Sequence, residues 1–252
     1  MRSALLAAAG FLAACATEPA SGLAGRLTAR PLRQVSGPRA AGELPLGLGG
    51  SRDGRLYVPA KLGDKVPLML LLHGAGGAGE RIERRLRDLA DEFGFIILAP
   101  DSRGETWDVS RGEIGVDADF IDRALRDVFA RYPIDPAHMA IAGFSDGASY
   151  SLTLGIINGD FFTHVIAFSP GYIGATYGYG HPPIFISHGS ADEILPMEKT
   201  SNVLVPGLRR HGYAVRYREF AGPHTIPSEV AREAVQWWLS ASRAGAAVKS
   251  PA

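Results

Sequence analysis

Three residue types able to carry out nucleophilic catalysis stand just after apolar runs. They are Ser145 in Gly143-Phe144-Ser145-Asp146-Gly147, Asp192 in His188-Gly189-Ser190-Ala191-Asp192, and His224 in Gly222-Pro223-His224. A serine hydroxyl is a weak nucleophile at neutral pH. It needs an imidazole within hydrogen-bond reach, and the imidazole needs a carboxylate that fixes its tautomer and stabilises the imidazolium. Together these groups support acyl transfer through a covalent intermediate. The G-x-S-x-G spacing has its own reason: a serine presented on a sharp strand-to-helix turn leaves no room for side chains on either flank, and Gly143 and Gly147 supply none. With 31 glycines in the chain the pentapeptide alone carries little weight, and the inference rests on the set.

Acyl transfer also needs donors for the developing oxyanion. The backbone N–H of Asp146, at the start of a helix, is one candidate. Ala75, in the loop His73-Gly74-Ala75-Gly76-Gly77, is the other, and its glycine neighbours let the main chain approach substrate. Rivals exist for each role. His188 is a second histidine at a strand end and is expected to bond locally; Glu193 and Asp101 compete with Asp192; His73 is expected to be structural. His138, His164, His181 and His211 read as surface or loop residues. No H-E-x-x-H, cysteine pair or compact acidic cluster occurs, so neither metal nor cofactor is expected.

Elements that would position these groups follow from periodicity. Strands are expected at 55–58, 66–72, 95–99, 139–142, 165–168, 184–187 and 215–220, mostly apolar without alternation, as in strands buried on both faces. Helical spacing places amphipathic helices over Ile82–Phe93 and Phe120–Tyr132, another after Ser145, one over 198–211 and one over 227–243. This is an α/β pattern: a mostly parallel, doubly wound sheet of about eight strands flanked by helices, with reactive groups at the C-terminal strand ends. The catalytic domain is drawn at 51–243 and a tail at 244–252.

The 252 residues are 46% apolar and 21% charged, with 26 basic and 26 acidic side chains, which suits one domain and argues against a nucleic-acid partner. Residues 1–14 read as a secretory leader. Leu12-Ala13-Ala14-Cys15 resembles a bacterial lipobox, with the chain's lone cysteine lipidated. Residues 15–50 read as a tether with a candidate edge strand over Leu27–Val35. The expected location is the cell envelope, held to the membrane by a lipid on Cys15.

The motifs Leu-Leu-His-Gly-Ala-Gly-Gly, Ala-Gly-Phe-Ser-Asp-Gly-Ala, His-Gly-Ser-Ala-Asp-Glu-Ile-Leu-Pro and Gly-Pro-His resemble the phospholipase/carboxylesterase branch of the α/β-hydrolases, near polyhydroxybutyrate-depolymerase-like and feruloyl-esterase-like bacterial proteins. Ser, Asp, His is also the chain order of that fold. The resemblance covers Leu56 to Leu239. It implies a serine esterase with a minimal cap acting on small carboxylic esters. Two departures stand out: Asp146 where that branch often has an uncharged residue, and Thr225 after the histidine. The stretch from Ser169 to Pro183 is too short for a helical lid. Tyr172, Tyr177 and Tyr179 in it, with Trp107, are candidates for an aromatic rim favouring short acyl or aryl esters. An acyltransferase or peptidase with the same triad, and a non-catalytic binding protein on this fold, are the alternatives. The natural ester and the oligomeric state are not readable from the sequence.

Overall fold

The alternation within Val66–Leu72 dictates a sheet covered on both faces. Val66, Leu68, Leu70 and Leu72 belong to one buried apolar cluster, while Met69 and Leu71 belong to the other. A computed structural model describes residues 23–37 and 39–240. The expectations for residues 1–14, Cys15 and 244–252 lie outside the described residues.

The strands are Gly42–Pro45 (β1), Gly54–Val58 (β2), Val66–Leu72 (β3), Ile96–Pro100 (β4), Ile134–Phe144 (β5), His164–Phe168 (β6), Ile184–Gly189 (β7) and Val215–Phe220 (β8). The helices are Gly79–Glu83 (α1), Arg87–Phe93 (α2), Val116–Arg131 (α3), Asp146–Ile157 (α4), Ser201–Arg210 (α5) and Ser228–Ser240 (α6). Among the described residues the strands form one eight-stranded sheet in the order β1-β2-β4-β3-β5-β6-β7-β8. β1 and β2 run antiparallel to their neighbours, and every pairing from β4 to β8 is parallel. Side chains of α3, α4 and α5, such as Phe120, Leu152 and Val205, join the cluster on one face. Those of α1, α2 and α6, such as Ile82, Leu89 and Trp238, join the other. The sheet is therefore doubly wound, and its parallel strands leave β3, β5, β7 and β8 ending on one edge.

The structure differs from the sequence reading at three places. Leu27–Val35 is not a strand; the edge strand is β1. Its backbone donors go to buried side chains instead: Asp122 Oδ1 accepts from the N–H of Thr28 and of Ala29, both at 2.7 Å, and Asn158 Oδ1 accepts from Leu27 N–H at 2.9 Å. Leu27 and Ala29 consequently enter the core, so part of what reads as tether is packed on the body. The expected helix over Ile82–Phe93 is broken in two at Arg84–Leu86. Finally, His164 is a buried residue of β6, not a surface one.

Candidate active site

Ser145 joins β5 to α4 in a conformation that L-residues rarely adopt, with φ 57° and ψ −117°. Such a backbone costs on the order of 1–3 kcal/mol and persists only where its surroundings hold it. Here the holding is visible. Ser145 N–H donates to the Phe168 carbonyl at the end of β6, 2.9 Å away, while the Ser145 carbonyl accepts from Ala148 and Ser149 in the first turn of α4. A Cβ at Gly143 would overlap the Gly147 carbonyl, and one at Gly147 would overlap the carbonyls of Leu72 and His73. Both flanks of the serine are thus closed to side chains, and α4 opens directly beneath it.

Asp192 and His224 arrive from β7 and β8 on loops tied together by backbone bonds, Ser190 N–H to Phe220 O at 2.9 Å and Ala191 N–H to Gly222 O at 3.0 Å. Gly189 permits this, since a Cβ there would overlap the Gly222 and Pro223 carbonyls. His224 Nδ1 lies 2.6 Å from Asp192 Oδ2. A carboxylate only accepts, so Nδ1 carries the proton and Nε2 is left as an acceptor. The other carboxylate oxygen takes the N–H groups of Ile194 (3.0 Å) and Leu195 (2.8 Å). Burial alone would raise the Asp192 pKa, but the Leu195 N–H and His224 outweigh it and hold it below the usual carboxylate value. The ring of Phe144, next to the serine, packs on His224 with centroids 4.6 Å apart. No Ser145–His224 hydrogen bond is formed among the described residues; such contacts often tighten only with substrate bound.

His188, expected to bond locally, does so and more. Its Nδ1 lies 2.7 Å from Ser201 Oγ and its Nε2 lies 2.8 Å from the Leu195 carbonyl and 3.1 Å from Asp192 Oδ2. The pattern makes Nε2 the donor and Nδ1 the acceptor from Ser201. Burial lowers its pKa, keeping it neutral. This second brace on Asp192 was not apparent from the sequence; its signal is the i, i+4 spacing of His188 and Asp192. Asp101 is instead committed to the N–H groups of Gly79 (2.7 Å) and Asp53 (3.1 Å), and Glu193 is exposed.

The loop after β3 is braced by His73, whose Nε2 accepts from Ser102 N–H at 3.0 Å and whose Nδ1 then donates to Gly74 O at 2.7 Å. Burial lowers its pKa as well. Gly77 N–H closes a turn onto Gly74 O at 2.9 Å, leaving Ala75 exposed at the tip. A Cβ on Gly74 would stand 3.3 Å from Ser145 Cβ, which puts this loop against the serine. The Asp146 side chain is held by the turn that follows Trp107. Trp107 N–H donates to its Oδ2 at 3.0 Å, and Ser110 Oγ (2.5 Å) and Tyr172 OH (3.3 Å) donate to its Oδ1.

The aromatic rim needs correction. Trp107 is fully buried: its indole N–H donates to the His73 carbonyl at 2.8 Å and its ring stacks on Tyr150, so it supports the glycine-rich loop from below. Tyr177 and Tyr179 belong to the far end of α4. Tyr177 OH donates to Ala24 O, Tyr179 N–H bonds Ile156 O at 3.1 Å, and the Arg26 guanidinium lies 4.2 Å over the Tyr179 ring. At about 1.5 Å per residue, a twelve-residue helix puts them roughly 17 Å from Ser145. Only Tyr172 stays near the serine. It is half-buried, with its phenol pushed up to about 12, mainly by burial.

No protein-family profile matches the chain. It is 30% identical over 141 residues to the poly(3-hydroxybutyrate) depolymerase of Ralstonia pickettii, an alignment covering 46% of this chain and 28% of that protein. It is 26% identical over 163 residues to the bifunctional acetylxylan esterase/xylanase XynS20E of Neocallimastix patriciarum, covering 62% of this chain and 24% of that one. The chain thus spans less than half the length of the curated relatives it matches. Among solved structures, the S-formylglutathione hydrolase FrmB of Staphylococcus aureus superimposes with a TM-score of 0.64 at 14% identity, over 82% of this chain and 99% of that one. The chain has the α/β-hydrolase fold. Within that fold Ser145, Asp192 and His224 all stand at the C-terminal edge of the sheet, after β5, β7 and β8. The fold and the esterase names among the relatives agree with the superfamily that the motifs resemble.

Proposed function

We propose that this α/β-hydrolase is a serine carboxylic ester hydrolase working through an acyl-enzyme on small esters. The observation that carries the reading is the 2.6 Å His224–Asp192 contact, formed by two tied loops at the same sheet edge as a serine held at positive φ. In the proposed reaction His224 Nε2 takes the hydroxyl proton as Ser145 Oγ bonds to the ester carbonyl carbon. The N–H groups of Ala75 and Asp146 receive the oxyanion. Collapse breaks the bond to the alcohol, which leaves with the proton from His224. Water then attacks the acyl-enzyme by the same sequence, returning the serine and releasing the acid. Binding of Asp146's carboxylate by Trp107 N–H, Ser110 and Tyr172 supports the view that its side chain is held by fixed donors while its backbone N–H serves the oxyanion.

The substrates named for relatives, poly(3-hydroxybutyrate) and acetylxylan, point to ester bonds of short acyl groups, and the short Ser169–Pro183 connection favours an open site. Covalent labelling tests the reading: a fluorophosphonate should modify the Ser145 peptide of the wild type and leave His224→Ala largely unmodified. Absence of labelling in a folded wild type, or labelling at another serine, would overturn it. The envelope location rests on the Leu12–Cys15 motif; it predicts partition of the expressed full chain into detergent, abolished by Cys15→Ser.

A further inference from the structure

Along Glu80–Phe93 two of the four arginines are matched by acids. Arg84 pairs with Glu80 at 2.5 Å, and Arg87 pairs with Glu83 and Glu43, both at 2.6 Å. Arg81 and Arg85 are not matched: both are exposed, and among the described residues neither side chain has an ion pair or a hydrogen bond. Neighbouring like charges repel each other, so two arginines four residues apart with no acidic partner do not serve local stability. Both line a cavity of about 210 Å³ whose other walls include Gly74, Ala75 and Phe144 and contain no carboxylate. Arg85 also lines a neighbouring cavity that holds the carboxylates of Asp88 and Glu229, whereas Arg81 lines only the first.

This cavity adjoins the reacting groups. A Cβ on Gly74 would stand 3.3 Å from Ser145 Cβ, and Phe144 packs on His224. In the proposed reaction His224 is the group that protonates the departing alcohol, so a cavity walled by Phe144 lies on the alcohol side of the ester. We propose that Arg81 and Arg85 form an anion subsite that binds a carboxylate carried on the alcohol portion of the substrate. Guanidinium forks suit a planar carboxylate, and a low-dielectric wall on one side strengthens the attraction. The assignment of a side to the cavity rests on the reading of Ser145 and His224 as nucleophile and base; the existence of the anion site does not.

Binding and turnover separate the two. By calorimetry on the full chain at low salt, 4-hydroxybenzoate should bind at least tenfold more tightly than 4-hydroxybenzamide. The double variant R81Q/R85Q should erase that difference, and 0.5 M salt should shrink it. In turnover, kcat/KM for 4-acetoxybenzoate should exceed that for its neutral methyl ester by about tenfold, with the ratio falling to near one in the double variant. Equal binding of acid and amide by the wild type, or a preference that survives in the double variant, overturns the anion subsite even if both esters are hydrolysed. Selective binding with neither ester hydrolysed upholds the subsite and overturns the hydrolase reading. A preference that appears only for an aryl hemisuccinate over the matching butyrate overturns the alcohol-side assignment.

Discussion

The two ends of α4 are built from similar residues to opposite effect. At its N-terminal end a strained serine, the glycine-rich loop and the Ser110, Asp146 and Tyr172 cluster stand open beside a cavity. At its C-terminal end Asn158 is completely buried, accepting from Leu27 N–H and donating to Gly25 O and Leu154 O, both at 2.9 Å. Arg26 grips Asp160 there through two bonds of 2.8 and 2.9 Å and covers Tyr179. Glycine, tyrosine and arginine occur at both ends. At one they hold groups poised and exposed; at the other they anchor the N-terminal segment to the body. Side-chain type therefore says little about role until the partner on the other side of the contact is known.

That contrast can be broken most severely at the reactive end. Asp192→Asn should keep the fold, judged by its circular dichroism and Tm, yet lower kcat roughly 10⁴-fold, because the amide donates to His224 and holds the wrong tautomer. Gly147→Ala should cost about 3 kcal/mol in denaturant unfolding, since the new Cβ meets backbone carbonyls that have no room to withdraw. At the anchoring end Asn158→Ala should cost about 2 kcal/mol by stranding buried backbone groups, with kcat per folded molecule unchanged. The smallest effect is expected for Tyr179→Ala, under about 1 kcal/mol from the lost cation–π contact, with KM for aryl esters unmoved. A raised KM there would return Tyr179 to the substrate rim.

Stability against pH probes the reactive end from another side. Burial depresses the folded-state pKa of both His73 and His188. Below the ordinary imidazole value near 6.5, the unfolded chain binds protons that the folded chain does not, so stability should decline as pH falls from about 6.5. Asp192, also depressed, adds a loss only when pH drops below about 4 and through its folded value. Urea midpoints measured from pH 8 to 4.5 should show the first decline, and His188→Gln should flatten it.

Much of the fold is readable in the sequence where structure follows local rules. Uninterrupted apolar runs mark the inner strands, 3.6-residue spacing marks α3 and α6, and Gly143 and Gly147 mark the sharp turn. The nucleophile, acid and base candidates were readable too, because each follows a strand at the same edge. What the sequence hides depends on distant partners. Leu27–Val35 looks like a strand until Asp122 and Asn158, some 94 to 131 residues away, take its backbone donors. Trp107 looks like a rim residue because a loop aromatic carries no mark of the Tyr150 ring and His73 carbonyl that bury it. Tyr177 and Tyr179 share a segment with Tyr172, yet the chain between them crosses from one end of α4 to the other.

Hydrolysis of 4-nitrophenyl acetate by the wild type and by Ser145→Ala, both confirmed folded, decides whether Ser145 is the nucleophile. The wild type should turn over, and the variant should lose three or more orders of magnitude. Equal rates in the two proteins would contradict that role and place any esterase chemistry away from Ser145.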